Sequence, residues 1–184
     1  MPLIIENRRK KETTLKKNYP DAQIIDLTSK AEQPWIKFSP FYPHGNIPVP
    51  FSGDLTAQSV EGIWQGLKVF ENHDIDVSKF EITTMRGLKR TVRKYGTVLG
   101  HRKGISGDDL LPYYEARLQI YLPAYLWVLE NCLQQEVTQL RELSQKQTII
   151  LLDYETNTDI NNLTKPLSHA GLVKDYCDDV WFAD

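Results

Sequence analysis

Thr148-Ile149-Ile150-Leu151-Leu152-Asp153-Tyr154 is the stretch that decides the fold. Four consecutive branched apolar residues are too few for a helix core and do not alternate with polar ones. They read as a strand covered on both faces. A strand covered on both sides needs a layer on each, so helices must pack around a sheet. Asp153 closes the strand and Glu155 follows it. Open α/β sheets commonly place ligand contacts at the carboxyl ends of their strands, which makes Asp153 a candidate substrate contact. Gln23 to Leu27 reads as a second buried strand and Leu3 to Glu6 as a short one. Ser168 is placed to cap a last helix running to about Tyr176, with His169 in its first turn.

Helical patterns fill much of the remainder. Arg8 to Tyr19 is basic and stops at Pro20. In Thr84 to Tyr95, the residues Met85, Leu88, Val92 and Tyr95 would form an apolar face. Arg86, Lys89, Arg90 and Arg93 would lie outside it, and Gly96 would end the helix. Pro112 to Ser144 reads as a long helical stretch broken at Pro123. Trp35 to Phe51 carries Pro40, Pro43, Pro48 and Pro50 among five aromatics, which suits a rigid aromatic loop. Such a loop either walls a pocket for a planar ligand or closes the core. The expected fold class is α+β: one compact domain over residues 1–184, with helices around a small mixed sheet.

A chain of 184 residues, 41% hydrophobic, is long enough to bury a core. The net charge of -2 is unevenly spread along the sequence. Met1 to Gly104 holds seventeen Lys/Arg against eleven Asp/Glu, and Ile105 to Asp184 holds five against thirteen. A basic half points to anionic partners such as nucleic acid, unless the two halves neutralise each other. Cys132 and Cys177 are the only cysteines, which suits a reducing cytoplasm and no disulfide framework. No apolar stretch is long enough for a membrane span or a signal peptide. His44, His73, His101 and His169 have no metal-ligand spacing, so neither a metal nor a cofactor is expected. Walker A, G-x-S-x-G and G-x-G-x-x-G patterns are missing from the sequence.

Chemistry is most legible in Ser59-Val60-Glu61-Gly62-Ile63-Trp64-Gln65-Gly66-Leu67-Lys68-Val69-Phe70. As one helix it splits into two faces. Glu61, Gln65 and Lys68 form a polar stripe, while Ile63, Leu67 and Phe70 point to the core. Ser59 is placed as N-cap. The stripe is either a surface ladder or the floor of a polar pocket. In a pocket, desolvation would deprotonate Lys68, whose amine could then form a Schiff base with an aldehyde such as opened ribose. Glu61 would move protons in that reaction. Downstream, Gly100-His101-Arg102-Lys103-Gly104 reads as a glycine loop whose Arg102 could bind phosphate.

Two of these blocks carry a resemblance. Phe38-Ser39-Pro40-Phe41-Tyr42-Pro43 resembles the Phe-Ser-Asn-Phe-Tyr-Pro opening of the NADAR (YbiA-like) superfamily. That superfamily has, about twenty residues on, a helix patterned Ser-x-Glu-x-x-x-Gln-x-x-Lys, which Ser59, Glu61, Gln65 and Lys68 match. The chain also resembles uncharacterised bacterial and phage proteins that share both blocks. The NADAR-like match covers Trp35 to Phe70 and implies a hydrolase of NAD- and ADP-ribose-linked metabolism: an N-glycosidase, or an enzyme removing ADP-ribose from nucleic acid. It implies Lys68 as the covalent amine, Glu61 as its acid/base partner and Gln65 as an orienting group. Trp64, Phe38, Tyr42, His101 and Arg102 would contact substrate. The expected partner is a ribose-containing small molecule or an ADP-ribosylated nucleic acid. Two alternatives remain: a non-catalytic binder of nucleotide or nucleic acid, and a small interaction protein. The chain departs from the superfamily at Val180-Trp181-Phe182-Ala183-Asp184, where a Trp-Gly motif, an acidic residue and a closing helix would continue. That part of the site is expected to be absent or rearranged.

Overall fold

The computed structural model describes residues 2–181. Met1 and Phe182, Ala183 and Asp184 of the terminal stretch lie outside the described residues. In chain order the elements are β1 (Leu3–Asn7), α1 (Glu12–Asn18), β2 (Gln23–Asp26), β3 (Ile47–Pro48), β4 (Thr56–Ala57), α2 (Val60–Gly66) and β5 (Lys68–Phe70). Then come α3 (Val92–Tyr95), β6 (Val98–Arg102), β7 (Leu110–Leu111), α4 (Tyr113–Ala116), α5 (Leu122–Asn131), α6 (Gln134–Lys146), β8 (Ile149–Asp153) and α7 (His169–Cys177). The fold is α+β. It resolves into two compact units, one of residues 1–39 with 133–184, the other of residues 40–132. Parallel and antiparallel pairings fall in separate sheets. None of the helices among the described residues is long and apolar enough to cross a membrane.

The first unit is built on β8, the strand quoted at the outset, and all five of its residues are buried. β8 lies between β1 and β2 and runs parallel to both, with Ile4 and Ile24 each opposite Ile150. Alternation of side chains then gives the sheet two faces. On one, Leu15 of α1 packs with Ile150 and Leu152, flanked by Ile4 and Ile24. On the other, Ile5 meets Gly171 of α7. Both faces are therefore covered by helices, as a continuous apolar run requires.

The second unit holds two small antiparallel sheets, β3-β4 and β5-β6-β7. Three expectations are corrected here. The helix expected over Ser59–Phe70 ends at Gly66, and Lys68 begins a strand. The helix expected over Thr84–Tyr95 survives only as α3, because Gly87 sits at φ 75°, a left-handed conformation that ends a helix. Leu88 is buried as expected, but Val92 is exposed and Arg90 is buried. The break expected at Pro123 falls instead at Cys132 and Leu133. Pro123 sits in the first turn of α5, after a π turn at Arg117–Tyr121. The wider turn accommodates the missing proline N–H and lets the helical path continue.

Candidate active site

The polar stripe is assembled in the second unit. Ser59 caps α2, its hydroxyl accepting from the Gly62 N–H at 3.0 Å. The helix stops after Gly66 because outside donors take its last carbonyls. Asp76 N–H donates to Gly66 O at 2.8 Å and Arg102 N–H to Leu67 O at 2.8 Å. The Arg90 guanidinium donates to Gln65 O at 3.2 Å, Lys68 O at 2.6 Å and Asp74 O at 2.7 Å. A cation at a helix carboxyl end also suits the helix dipole. Gly66 allows the approach of Phe80, whose Cε1 would lie 2.3 Å from a Cβ at that position.

Although the helix ends, the stripe persists. Gln65 Nε2 donates to Glu61 Oε1 at 2.8 Å, and Lys68 Nζ donates to Gln65 Oε1 at 3.3 Å. The Arg90 backbone N–H also donates to Gln65 Oε1, at 3.0 Å. A backbone N–H can only donate, so it fixes the amide with its oxygen toward Lys68 and its nitrogen toward Glu61. Gln65 is thus a rigid link between an acid and an amine. Glu61 is 8% exposed and Gln65 5%, which rules out a solvated surface ladder.

Burial pushes the pair toward neutrality. It raises the Glu61 carboxyl above its usual range, against the Gln65 hydrogen bond and the charges of Lys68 and Lys89. It lowers the Lys68 amine; Glu61 opposes this, while Arg90 and Lys89 add to it. A lysine whose pKa falls has more free amine, the nucleophilic form.

Aromatic rings line the site. Lys68 Nζ sits 5.9 Å from the Trp64 ring centroid, and the His101 ring lies on Trp64 at 3.7 Å and 31°. Tyr113 and Tyr121 also pack against Trp64, with centroids 5.9 and 5.6 Å away. His101 is 2% exposed, and among the described residues neither ring nitrogen has a hydrogen-bond partner. Burial and the Lys68 charge push its pKa down to about 3. The Trp64 backbone, outside hydrogen-bond geometry, opposes this weakly. Leaving a buried polar group unpaired costs about 1–3 kcal/mol.

The other expected contacts are placed differently. Tyr42 belongs to the second unit, its ring 4.8 Å from that of His44. Phe38 belongs to the first unit and lies fully buried in a 3-10 turn, Trp35–Phe38, beside the Trp35 ring. Gly100, His101 and Arg102 are not a phosphate-binding loop but part of β6. A Cβ at Gly100 would lie 2.7 Å from Leu111 O of β7, so this glycine permits strand pairing. Arg102 donates to Asp74 Oδ1 at 2.6 Å and so lowers the Asp74 carboxyl.

Asp153 is also committed, to the first unit's own structure. Its Oδ2 accepts from the Ser168 hydroxyl at 2.8 Å and the Ala170 N–H at 3.3 Å, and lies 3.0 Å from His169 Nδ1. Its Oδ1 accepts from the Tyr154 N–H at 2.7 Å. The other imidazole nitrogen, Nε2, is 2.9 Å from Leu27 O. Both neighbours of the ring are acceptors, so both nitrogens carry protons and His169 is an imidazolium. Burial works to lower the His169 pKa, but Asp153 outweighs it and the value is raised. Burial works to raise Asp153, but His169, Ser168 and Ala170 hold it down at about 2. Beside the ends of β2 and β8 opens a cleft of about 300 Å³ that includes Arg8, Lys10, Glu12 and Asp26. Each of those charges is already paired: Arg8 with Asp26, Lys10 with Glu6 and Lys16 with Glu12.

Two functional-looking residues escaped the sequence reading. Arg90, expected outside the apolar face of a helix, instead organises the end of α2, and Gly87 inside that expected helix is the available signal. His169 was seen only as a helix residue; its pairing with Asp153 comes from tertiary structure. The charge asymmetry along the sequence also dissolves in the fold. The first unit holds twelve Lys/Arg against fourteen Asp/Glu, and the second holds ten against ten.

Comparison with known sequences places the chain in a class that has no assigned activity. It belongs to a family of unknown function, DUF6939, whose pattern matches residues 7–173. That match spans Glu61, Gln65, Lys68, His101, Asp153 and His169. No curated protein matches the chain.

Proposed function

We propose that this protein is an N-glycosidase or ADP-ribosyl hydrolase of NADAR-like chemistry, acting on a ribosylated nucleotide or base in the cytoplasm. The observation that carries the reading is the Glu61–Gln65–Lys68 relay, in which a buried acid and an amine are held by one oriented amide. Protonated Glu61 gives its proton to the leaving base nitrogen as Lys68 Nζ bonds to the anomeric carbon, C1′. Glu61 then takes the extra proton from Nζ. Ring opening gives an imine at Lys68, and water releases the sugar and regenerates the amine. Trp64 and its aromatic neighbours keep the amine partly dehydrated. The nucleic-acid-binding alternative is weaker, since Arg90 is buried and neither unit carries excess positive charge.

The test is to incubate the protein with an N-ribosyl base or an ADP-ribosylated oligonucleotide, add borohydride and map adducts by mass spectrometry. A sugar adduct on the Lys68 peptide is expected, and none on Lys68→Ala. Undiminished turnover by Lys68→Ala rejects the reading.

A further inference from the structure

The Glu61–Gln65–Lys68 relay accounts for attack and for the leaving base, but not for the sugar ring oxygen. That oxygen, O4′, must leave C1′ before the imine can form. As the C1′–O4′ bond breaks, its electron pair goes to O4′ while the Nζ lone pair forms the double bond to C1′. The developing alkoxide then takes the proton that Glu61 collected from Nζ. Charge therefore builds on an atom bonded to the same carbon as Nζ, and a donor beside Lys68 is needed there.

We infer that His101 is that donor: its neutral imidazole gives a hydrogen bond to the ring oxygen of the ribosyl group as the ring opens on Lys68. Three observations support this. Lys68 and His101 are directly opposed across β5 and β6, so their side chains leave the same face of the sheet. Both lie against Trp64, Lys68 Nζ at 5.9 Å and the His101 ring at 3.7 Å from its ring. Among the described residues, neither His101 nitrogen makes a hydrogen bond of acceptable geometry, the Trp64 backbone acting on the ring only from outside that geometry, although the residue is 98% buried. A neutral imidazole always carries one N–H and one lone pair, so whichever tautomer is present has an unused donor. Native structures seldom keep such a donor buried and idle unless something else completes it. Neutrality also suits the chemistry, because a charged imidazolium would repel the iminium forming on Lys68. Burial, the largest influence on the ring, favours its neutral form whether or not Lys68 carries a proton. Displacement of the flexible Lys68 side chain on adduct formation would bring O4′ to the ring.

This assignment rests on the Schiff-base reading, and two probes separate them. D-ribose is cyclic and must open to form an imine, whereas glyceraldehyde presents a free aldehyde. Each is incubated with the protein and trapped with borohydride, and the rate of Lys68 modification is measured. His101→Phe keeps a ring on Trp64 but removes the donor. Its capture of D-ribose is expected to fall about a hundredfold, the loss typical of one oxyanion donor. Its capture of glyceraldehyde should change less than about threefold, as no ring oxygen is involved. His101→Gln restores an N–H and should recover about tenfold of the loss with D-ribose. Equal losses with both probes, or no loss with either, overturn the His101 assignment and leave the lysine chemistry standing. A wild-type protein that modifies Lys68 with neither probe overturns both. If His101→Phe does not fold, the wild-type protein decides the matter by ¹⁵N NMR. The His101 N–H should become slow to exchange in the trapped ribose adduct but not in the glyceraldehyde adduct. The same N–H signal in both adducts overturns the assignment.

Discussion

Two buried acid–base pairs, one in each unit, are driven in opposite directions by their surroundings. In the first unit Tyr154, Ser168, Ala170 and His169 all favour the Asp153 charge, and Leu27 O and Asp153 face the two His169 ring nitrogens as acceptors. The carboxyl titrates low and the imidazole high, so the two ions hold each other in place. In the second unit Gln65 links Glu61 to Lys68, and two further cations, Lys89 and Arg90, act on the pair. There the acid rises and the amine falls. The same ingredients, an acid and a base out of water, give a clamp where hydrogen bonds saturate the ions. They give a pair drawn toward neutrality where a neutral amide is interposed.

The largest expected effects come from breaking the Glu61–Lys68 pair. Lys68→Met should abolish covalent capture of ribosyl probes while leaving urea stability unchanged or higher, since a dehydrated amine is removed. Glu61→Gln should slow turnover about 10²–10⁴-fold, again without loss of stability. A large drop in stability in either variant would mean that this pair is also a clamp.

Breaking the clamp should do the reverse. Asp153→Asn leaves His169 buried without its counter-charge and should cost about 3–5 kcal/mol in urea denaturation. A loss under about 1 kcal/mol would show that the carboxylate is not needed.

pH sharpens the contrast. The raised His169 value contributes stability that is complete below its ordinary 6.5 and is lost as pH rises through the raised value. Asp153 contributes fully above its ordinary 3.8 and loses its contribution as pH falls through about 2. Lys68 has the opposite sign to His169. Between its lowered value and its ordinary 10.5 the unfolded amine binds a proton that the folded one does not, so stability rises with pH. Hydrogen exchange at neutral and alkaline pH, corrected for intrinsic rates, should show α7 loosening while α2 does not. The smallest effect concerns the caps: Ser59→Ala and Ser168→Ala should each cost about 1 kcal/mol. Ser168→Ala should cost the more, because it also removes a bond to Asp153.

How much of this was legible follows from how local each signal is. β1, β2 and β8 could be read because continuous apolar runs are decided by neighbours in sequence. Both serine caps were readable for the same reason, since each bonds three residues ahead. The parallel order β1-β8-β2 was not, because it joins Leu3 to Ile149. In the candidate site, the spacing of Glu61, Gln65 and Lys68 points to three side chains that do share one hydrogen-bonded row, although the helix it implies ends at Gly66. A helical face and the chain path of α2 into β5 happen to keep Gln65 and Lys68 in reach. Arg90 reads as lying outside an apolar helix face and Arg102 as a phosphate contact, because a basic residue in a polar context shows no partner in the sequence. Only the fold supplies the carbonyls and the Asp74 carboxylate that hold them.

The place of β8 in the chain has a consequence for how the protein is made. A ribosome delivers β1 and β2 first, then all of residues 40–132, and only afterwards the strand that belongs between the first two. Until then Ile4, Ile5, Ile24 and Ile25 have no ladder to join, and each strand offers an unpaired edge to any other chain. The second unit needs nothing synthesised after it to complete its own sheets. The nascent chain therefore spends more than a hundred residues of translation with the sheets of one unit complete and the other waiting for its central strand. Slower elongation through α6 would lengthen that exposure, and crowding of nascent chains would make it hazardous.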